Sequence, residues 1–567
     1  MADKLYLMAD FETTLEEPVR VWAYAVTDVE RGVVVKTGDN IDDFIEFISS
    51  QKSICYFHNL KFDGEFIIYY LLTHGYTHVD DKPKRALEFS TLIGRMGEFY
   101  TIKVNFPRLQ RKSRPIGVTF VDSFKLLPFS VRDIGKSFGT IDTKGEIDFF
   151  EASQDNYKLT PERLDYVKRD TLVVAQAIKE VYLDYGETKI TIGSNALKLY
   201  KEDFCPVPFD YIFPILSKEQ DNICRLAYKG GYCYVNPLYQ GKWVGEGQVF
   251  DVNSLYPYAM TMRLPYGVPI EFKGEPDYKL VKENNYLFIV QFYCMFHIKE
   301  GYVPTIQVKR TYRFNPTEYL TESDEVVLLT MTSVEWEMFN RHYDIDMLSF
   351  NGGYYFKSST KLFIKYIEHF YEEKAKSTGA RRQRAKLYLN NLYGKMATSP
   401  INIVKVPFLE YDVSGRQHVS YRTDFKDDKE TLRVDVGAFI TANAKCYTIS
   451  AIQANYDRFL YCDTDSIHIM GLEPPNTIKV DAKELGAWKR EGEFNRAIFV
   501  KPKTYVEIEG EDINVKCCGM PQNIKDDFIS KEISIDEFKT GFSSNKKLVP
   551  KRVEGGILLK QTTFTIK

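Results

Sequence analysis

Several features that would narrow a protein's function are missing from these 567 residues. The nine cysteines include no C-x-x-C pair, and Cys517 and Cys518 are adjacent, so neither a zinc site nor a disulfide framework is written into the chain. Long apolar runs are also lacking: the longest, Phe66 to Leu72, is far too short to cross a bilayer. No basic segment followed by an apolar stretch and a small-residue cleavage site opens the sequence. These absences predict a soluble cytoplasmic protein in a reducing compartment. Any metal it holds should be a hard ion on oxygen ligands, Mg²⁺ or Mn²⁺. Excess positive charge is missing as well. The net charge is −3, whereas a dedicated nucleic-acid binder is usually basic.

What is present is local. Basic clusters occur at Arg108–Arg114, Lys309–Arg313, Arg381–Lys386 and Lys546–Arg552, and 39 tyrosines offer stacking surfaces. An acidic centre flanked by basic grooves would give the near-neutral sum, and so would ordinary solvated loops. The length leaves room for roughly three to five compact units.

Four carboxylates fall in three segments of the first half. Leu5–Ala9 reads as a buried strand that delivers Asp10 and Glu12, which share a face because side chains two apart in a strand do. Ser53–Phe57 reads as a second strand, followed by His58-Asn59-Leu60-Lys61-Phe62-Asp63 and a helical pattern. Thr160-Pro161 is a helix start, with an apolar stripe through Leu164, Val167, Thr171, Val174, Ile178 and Val181. Tyr166 and Asp170, four apart, stack at its border. Singly, these acids read equally well as surface acids, a helix cap and a salt bridge. Together they supply the hard oxygens that two divalent ions require, with a phenol to orient water.

The second half has its own acids. Gln248–Val252 reads as a strand ending near Asp251. Arg458–Cys462 and Ser466–Met470 read as a hairpin tipped by Asp463-Thr464-Asp465, either exposed or metal-binding. Between them lie an amphipathic helix, Lys361–Tyr371, and a second helix with the apolar stripe Ala385, Tyr388, Leu389, Leu392. Arg382, Lys386, Asn390 and Tyr393 line its adjacent polar face, suited to a triphosphate and its base.

The order D-x-E, N-x₂-F-D, Y-x₃-D resembles the three exonuclease motifs of proofreading DNA polymerases. The order DVNSLYP, KLYLNNLYG, YCDTDS resembles the three polymerase motifs of family-B DNA polymerases. With two long inserts and the closing GGILLKQTTFTIK, the whole chain looks like the protein-primed polymerases of bacteriophages with linear genomes. One departure is Asn391, where that subfamily typically has serine. The resemblance implies an α/β (α+β) multidomain fold, opening without the extra N-terminal domain of longer relatives. It comprises an RNase H-like 3′→5′ exonuclease (about 1–188), a palm (189–260 and 433–525), a first insertion that binds a terminal protein (261–360), fingers (361–397), a second insertion (398–432) and a thumb (526–567).

The resemblance also implies roles. Asp10, Glu12, Asp63 and Asp170 would hold one pair of ions, with Tyr166 and Lys144 assisting. Asp251, Asp465 and the Val252 carbonyl would hold the other, with Asp463 close by. Lys374, Arg382, Lys386, Asn390, Tyr256 and Tyr393 would bind the nucleotide. Thr13, His58, Asn59, Phe62, Ser123 and Phe124 would hold the frayed strand. Tyr228, Gly230, Gly231, Lys503 and Tyr505 would grip primer-template DNA. The partners implied are DNA, dNTPs and a terminal protein as primer, with the chain a monomer in the host cytoplasm. Conventional priming, an exonuclease with a non-catalytic DNA-clamp half, and a non-enzymatic single-strand binder remain as alternatives.

Overall fold

The computed structural model describes residues 4–108, 114–138, 147, 149–307, 319–426 and 431–567. Lys144, the Lys309–Arg313 cluster and most of Arg108–Arg114 lie outside the described residues.

Eight strands of the first half form one mixed sheet. Its order is Val33–Gly38, Val21–Asp28, Leu5–Thr13, Ser53–Phe57, Ile116–Asp122, Phe99–Phe106, Glu88–Ile93, Thr77–His78. The first strand does not stop at Ala9. It continues to Thr13 because its pairing with Val21–Asp28 carries on past the acids. Leu7, Ala9 and Phe11 point into a core with Phe44, Phe57 and Phe120. Met8 packs on the opposite side, with Val173 and Val174 of the Pro161–Val181 helix. Alternation therefore turns Asp10 and Glu12 toward that helix.

The helix starts as predicted, Thr160 accepting from the Arg163 backbone N–H at 3.3 Å. Leu164 is only half-buried, however. Arg163 takes the buried place, pinned to Asp155 at 2.9 Å. Further along, Val173, Ala175 and Ala177 are buried beside the predicted stripe. The helix is covered on two sides, by the sheet and by the Gly379–Asn391 helix. One apolar core thus runs from Met8 and Tyr56 through Val174 and Ile178 to Tyr388, Leu389, Ile467 and Trp488.

In the second half, five antiparallel strands lie in the order Trp488–Phe494, Gly247–Val252, Ser466–Met470, Phe459–Asp463, Cys233–Val235. Register brings Asp251 and Asp463 to one end, flanking Ser466 from either side. Between Asp463 and Ser466 the chain turns through Thr464, at φ +60°. A β-branched residue there costs roughly 1–2 kcal/mol. Two bonds hold it: its N–H donates to the Tyr232 carbonyl at 2.6 Å, and its carbonyl accepts from Thr448 Oγ1 at 2.7 Å.

The helix expected at Lys361–Tyr371 begins at Ile364 and reaches Lys376, making Lys374 helical. It packs on the Gly379–Asn391 helix. Within 261–360, Leu264–Lys273, Tyr343–Ser359, Leu287–Ile298 and Glu322–Thr332 make a separate four-stranded sheet with its own core. Alternating apolar and polar residues on either side of Ser414-Gly415 predict a protruding hairpin over about 401–431; Asn402–Tyr411 and Gln417–Lys426 form it, turning at Ser414-Gly415. It does not simply protrude: Val419 is fully buried in the core of the first-half sheet, and Gly94 bridges Val404. A C-terminal hairpin, Ser543–Val553 with Gly556–Thr565, buries Val553 and Ile557 in the same core.

Candidate active sites

Two acidic centres emerge, on different sheets. The first draws Asp10 and Glu12 from the first strand, Asp63 from the first turn of the Leu60–Thr73 helix, and Asp170 from the Pro161–Val181 helix. Asp63 is not that helix's cap. The cap position is Asn59, in the left-handed region, and the Asp122 carboxylate accepts the N–H groups of Asn59, Leu60 and Phe124. Asp122 escaped the sequence reading; its only signal is its place at a strand end before Ser123.

Charge crowding marks this centre. Burial, then the Asp170 charge, pushes Asp10 up to about 7. Burial raises Glu12 well above the carboxylate range, and Asp10, Asp170 and Asp63 add to the rise. Burial and then Asp10 raise Asp63 likewise, and burial takes Asp170 to about 6. Tyr166 is hydrogen-bonded to Asp170, and its phenol is raised by burial and by that charge. Asp63 Oδ1 is buried with no hydrogen-bond partner. Among the described residues no three His, Cys, Asp or Glu side chains stand close enough together to hold a metal ion as they are placed. Hard oxygens, repelling one another and including an orphaned one, are what divalent cations neutralise.

The residues expected along the strand path divide. Asn59 and Phe124 are exposed and Phe62 is half-buried. Thr13 is buried at the end of the first strand. Ser123 is fully buried, its hydroxyl donating to the Phe57 carbonyl at 3.0 Å, so it presents nothing to a strand here. His58 is occupied on both ring nitrogens, by Ser123 Oγ at 3.0 Å and the Phe129 carbonyl at 2.8 Å. Both are thus engaged within the protein.

The second centre is a cleft of about 910 Å³. Asp251, Val252 and Asp465 form its floor and Tyr256 and Tyr393 one wall, while Lys374, Arg382, Lys386 and Asn390 face them from the two helices. Asp251 is pushed up to about 7 by burial and then by Asp465; Lys489 and Lys374 pull the other way. Burial also raises Asp465, whose backbone carbonyl accepts from the Val252 N–H at 2.8 Å. Lys374 donates to Ser254 Oγ at 3.2 Å, and burial, then Arg382 and Lys386, lower its pKa. Tyr256 and Tyr393 stack at 4.3 Å and 12°. Lys489 and Glu491, on the strand beside Asp251, also line the cleft. Both were missed; their alternation in WKREGEF was the available signal.

Other expected residues are engaged within the protein. Asp463 does not share the open floor: Lys503 Nζ donates to both its oxygens at 2.7 Å. Lys503 is thereby committed, and Tyr505 packs on Tyr461 at 5.1 Å. Gly231 serves packing, since a Cβ there would lie 2.6 Å from Thr464 Oγ1; Gly230 faces open space. Tyr228 is half-buried beside Tyr256 and Tyr393. Of the cluster Lys546–Arg552, Lys546 pairs with Asp527, Lys551 with Glu17 and Arg552 with Glu65. In Arg381–Lys386, Arg381 bonds Glu373 and Arg384 bonds Glu187. Only Arg382 and Lys386 among its cations reach the cleft.

A floor of two carboxylates beneath a row of lysine and arginine is the arrangement of a nucleotide-polymerising centre. The chain belongs to the type B DNA polymerases, organellar and viral, whose family model matches residues 45–150 and 140–484. More narrowly, it is a phi29-like DNA polymerase: it is 40% identical over 591 residues to the DNA polymerase of Bacillus phage phi29, covering 100% of both chains. Its fold is similar to that of phi29 DNA polymerase complexed with primer-template DNA and incoming nucleotide substrates (TM-score 0.90, 38% identity, 100% of each chain). The same polymerase complexed with single-stranded DNA matches equally well, at TM-score 0.90, 38% identity and full coverage of both chains. No described helix is long and apolar enough to cross a membrane.

Proposed function

We propose that this DNA polymerase also degrades DNA from the 3′ end, with Asp10, Glu12, Asp63 and Asp170 as the degrading centre. The observation that carries the reading is their mutual charge repulsion together with the unpartnered Asp63 Oδ1. Both centres fit pairs of Mg²⁺ or Mn²⁺ ions, held by those four carboxylates in one and by Asp251, Asp465 and the Val252 carbonyl in the other. When bound, the ions neutralise the acids and stabilise charge on the reacting phosphate. At the first centre Tyr166, held by Asp170, orients the attacking water, and Asn59, Phe62 and Phe124 hold the strand. At the second, Lys374, Arg382 and Lys386 hold the triphosphate of a dNTP. Lys386 balances charge on the departing pyrophosphate, and Tyr256 lies under the sugar. Asp463 acts through Lys503, aligning the primer-gripping segment. A 3′-labelled single strand should shorten only with divalent metal present, and an Asp10→Ala variant that still shortens it would overturn the reading.

The domain limits proposed are those of the sequence reading, with 189–260 and 433–525 as palm, 361–397 as fingers and 526–567 as thumb. The chain works as a monomer in the cytoplasm of the host. Its first primer hydroxyl belongs to a protein that docks on segment 261–360, whose sheet exposes Tyr293 paired with Leu328, and Val326 beside them. Transfer of labelled deoxynucleotide to a protease-sensitive, nuclease-resistant acceptor in an infected-cell extract tests this; labelling of DNA alone would leave conventional priming. The 398–432 hairpin strips the displaced strand. Deleting it should leave gap filling but shorten products where a downstream strand is displaced.

A further inference from the structure

The degrading centre is framed partly by residues from the far end of the chain. In the connection that follows the strand carrying Asp10 and Glu12, the Val19 N–H donates to the Glu554 carbonyl at 3.0 Å. Gly555, at φ +93°, meets Val19 so closely that a Cβ would lie 1.9 Å from the Val19 carbonyl oxygen. Gly556 lies against Phe66 on the Asp63 helix, where a Cβ would come within 2.6 Å of its ring. Lys551 pairs with Glu17 at 3.6 Å. Two residues beyond Asp63, Glu65 is 0% exposed. It accepts from Arg552 Nε at 2.8 Å and from the Tyr421 hydroxyl at 2.9 Å. The Arg552 guanidinium also lies 4.5 Å over the Tyr421 ring. A carboxylate buried this deeply is tolerated only while its donors stay in place, and removing one partner of such a pair is far more disruptive than replacing both.

We propose that Arg552 is a positioning residue for the degrading centre: by holding Glu65 it fixes the first turn of the helix that carries Asp63. Glu554 and Gly555 hold the loop that follows the Asp10 and Glu12 strand in the same way. Two of the three carboxylate segments are therefore kept in register by the C-terminal hairpin, and degradation depends on its being seated. Arg552 touches no nucleotide in this role. The inference rests on the exonuclease reading and deepens it.

Full-length R552Q, E65Q/R552Q and D63A polymerases test it, with single-stranded oligonucleotide for degradation and a one-nucleotide gap for synthesis. R552Q strands a buried negative charge, whereas the double variant leaves two neutral amides. R552Q should lower the kcat of degradation about tenfold or more with KM little changed, because small displacements of reacting groups are costly. E65Q/R552Q should recover most of that kcat, and gap filling should stay near wild type in both. An unchanged kcat in R552Q overturns the proposal. So does a raised KM that the second substitution fails to relieve, which would make Arg552 a DNA contact. Retention of degradation by D63A would instead sink the exonuclease reading. If R552Q does not fold, Tyr421→Phe, which removes the other donor to Glu65, is read by the same criterion: lowered kcat at constant KM supports, unchanged kcat overturns.

Discussion

The two acidic centres solve opposite problems with the same side chain. In the first half, four carboxylates from three segments are packed together, and among the described residues no lysine or arginine is a main influence on Asp10, Glu12 or Asp63. In the second, Asp251 and Asp465 lie on the floor of an open cleft whose other side carries Lys374, Arg382 and Lys386. The difference follows from what each must hold. On the proposed reading, a terminal phosphodiester brings one negative charge and asks for little beyond metal-bearing acids. A triphosphate brings several, and needs cations of the protein's own. Buried repulsion is therefore tolerated at one site and relieved at the other.

The sharpest way to break this contrast is to empty each centre in turn. Asp251→Ala or Asp465→Ala should cut primer extension at least a hundredfold, about 2.7 kcal/mol of transition-state stabilisation, and leave single-strand degradation intact. Asp10→Ala or Asp63→Ala should do the reverse. Steady-state rates of both activities on each variant check this, and any single change that abolishes both in a folded protein would merge the two centres.

A smaller effect is expected from the cations. Lys386→Ala should slow nucleotide addition by roughly ten- to a hundredfold, as loss of one charge-stabilising group does, and leave degradation untouched. Single-turnover extension at rising dNTP reads it. Equal slowing of both activities would show that Lys386 acts on fold stability.

Sugar choice should move less. Tyr256 stacks on Tyr393; if it lies under the sugar as proposed, Tyr256→Val opens space at the ribose 2′ position and should raise ribonucleotide use, measured as the dNTP/NTP ratio of kcat/KM. An unchanged ratio removes the steric role.

The smallest effect concerns stability. Asp10 and Asp251 are each raised from an ordinary 3.8 to about 7, so folding disfavours their charged forms. Raised carboxyls bind protons more tightly folded than unfolded, and stability must fall as pH climbs from about 4 through 7. The melting temperature of metal-free protein should therefore drop between pH 5.5 and 7.5, and Mg²⁺ should restore more of it at the higher pH. Asp10→Asn should raise the metal-free value at pH 7.5, by about 1 °C for each kcal/mol of repulsion relieved in a chain of this length. Scanning calorimetry decides it, and a fall on substitution would mean the charge is already compensated.

Much of this was legible in the residues. Local rules wrote the Thr160-Pro161 helix start, the hairpin around Ser414-Gly415 and the strand before Asp251, because caps, turns and alternation act over a few positions. The polar stripe Arg382, Lys386, Asn390 was equally plain, since helical spacing alone puts those three on one face; they reach the cleft together with Tyr393, which the sequence pattern places on the same face but which opens a separate turn, Tyr393–Met396, after the helix ends at Asn391. Tertiary structure decided what partners consume. Ser123 and His58 look like strand contacts until their hydroxyl and ring nitrogens are found engaged. Asp463 looks like Asp465 until Lys503 claims it. Arg552 reads as one more basic residue until Glu65, 487 positions away, takes its charge. Sequence spacing determines which side chains share a face over a few turns of chain. Which of them stay free for a substrate depends on burial and pairing between segments hundreds of residues apart, and only the folded chain brings those together.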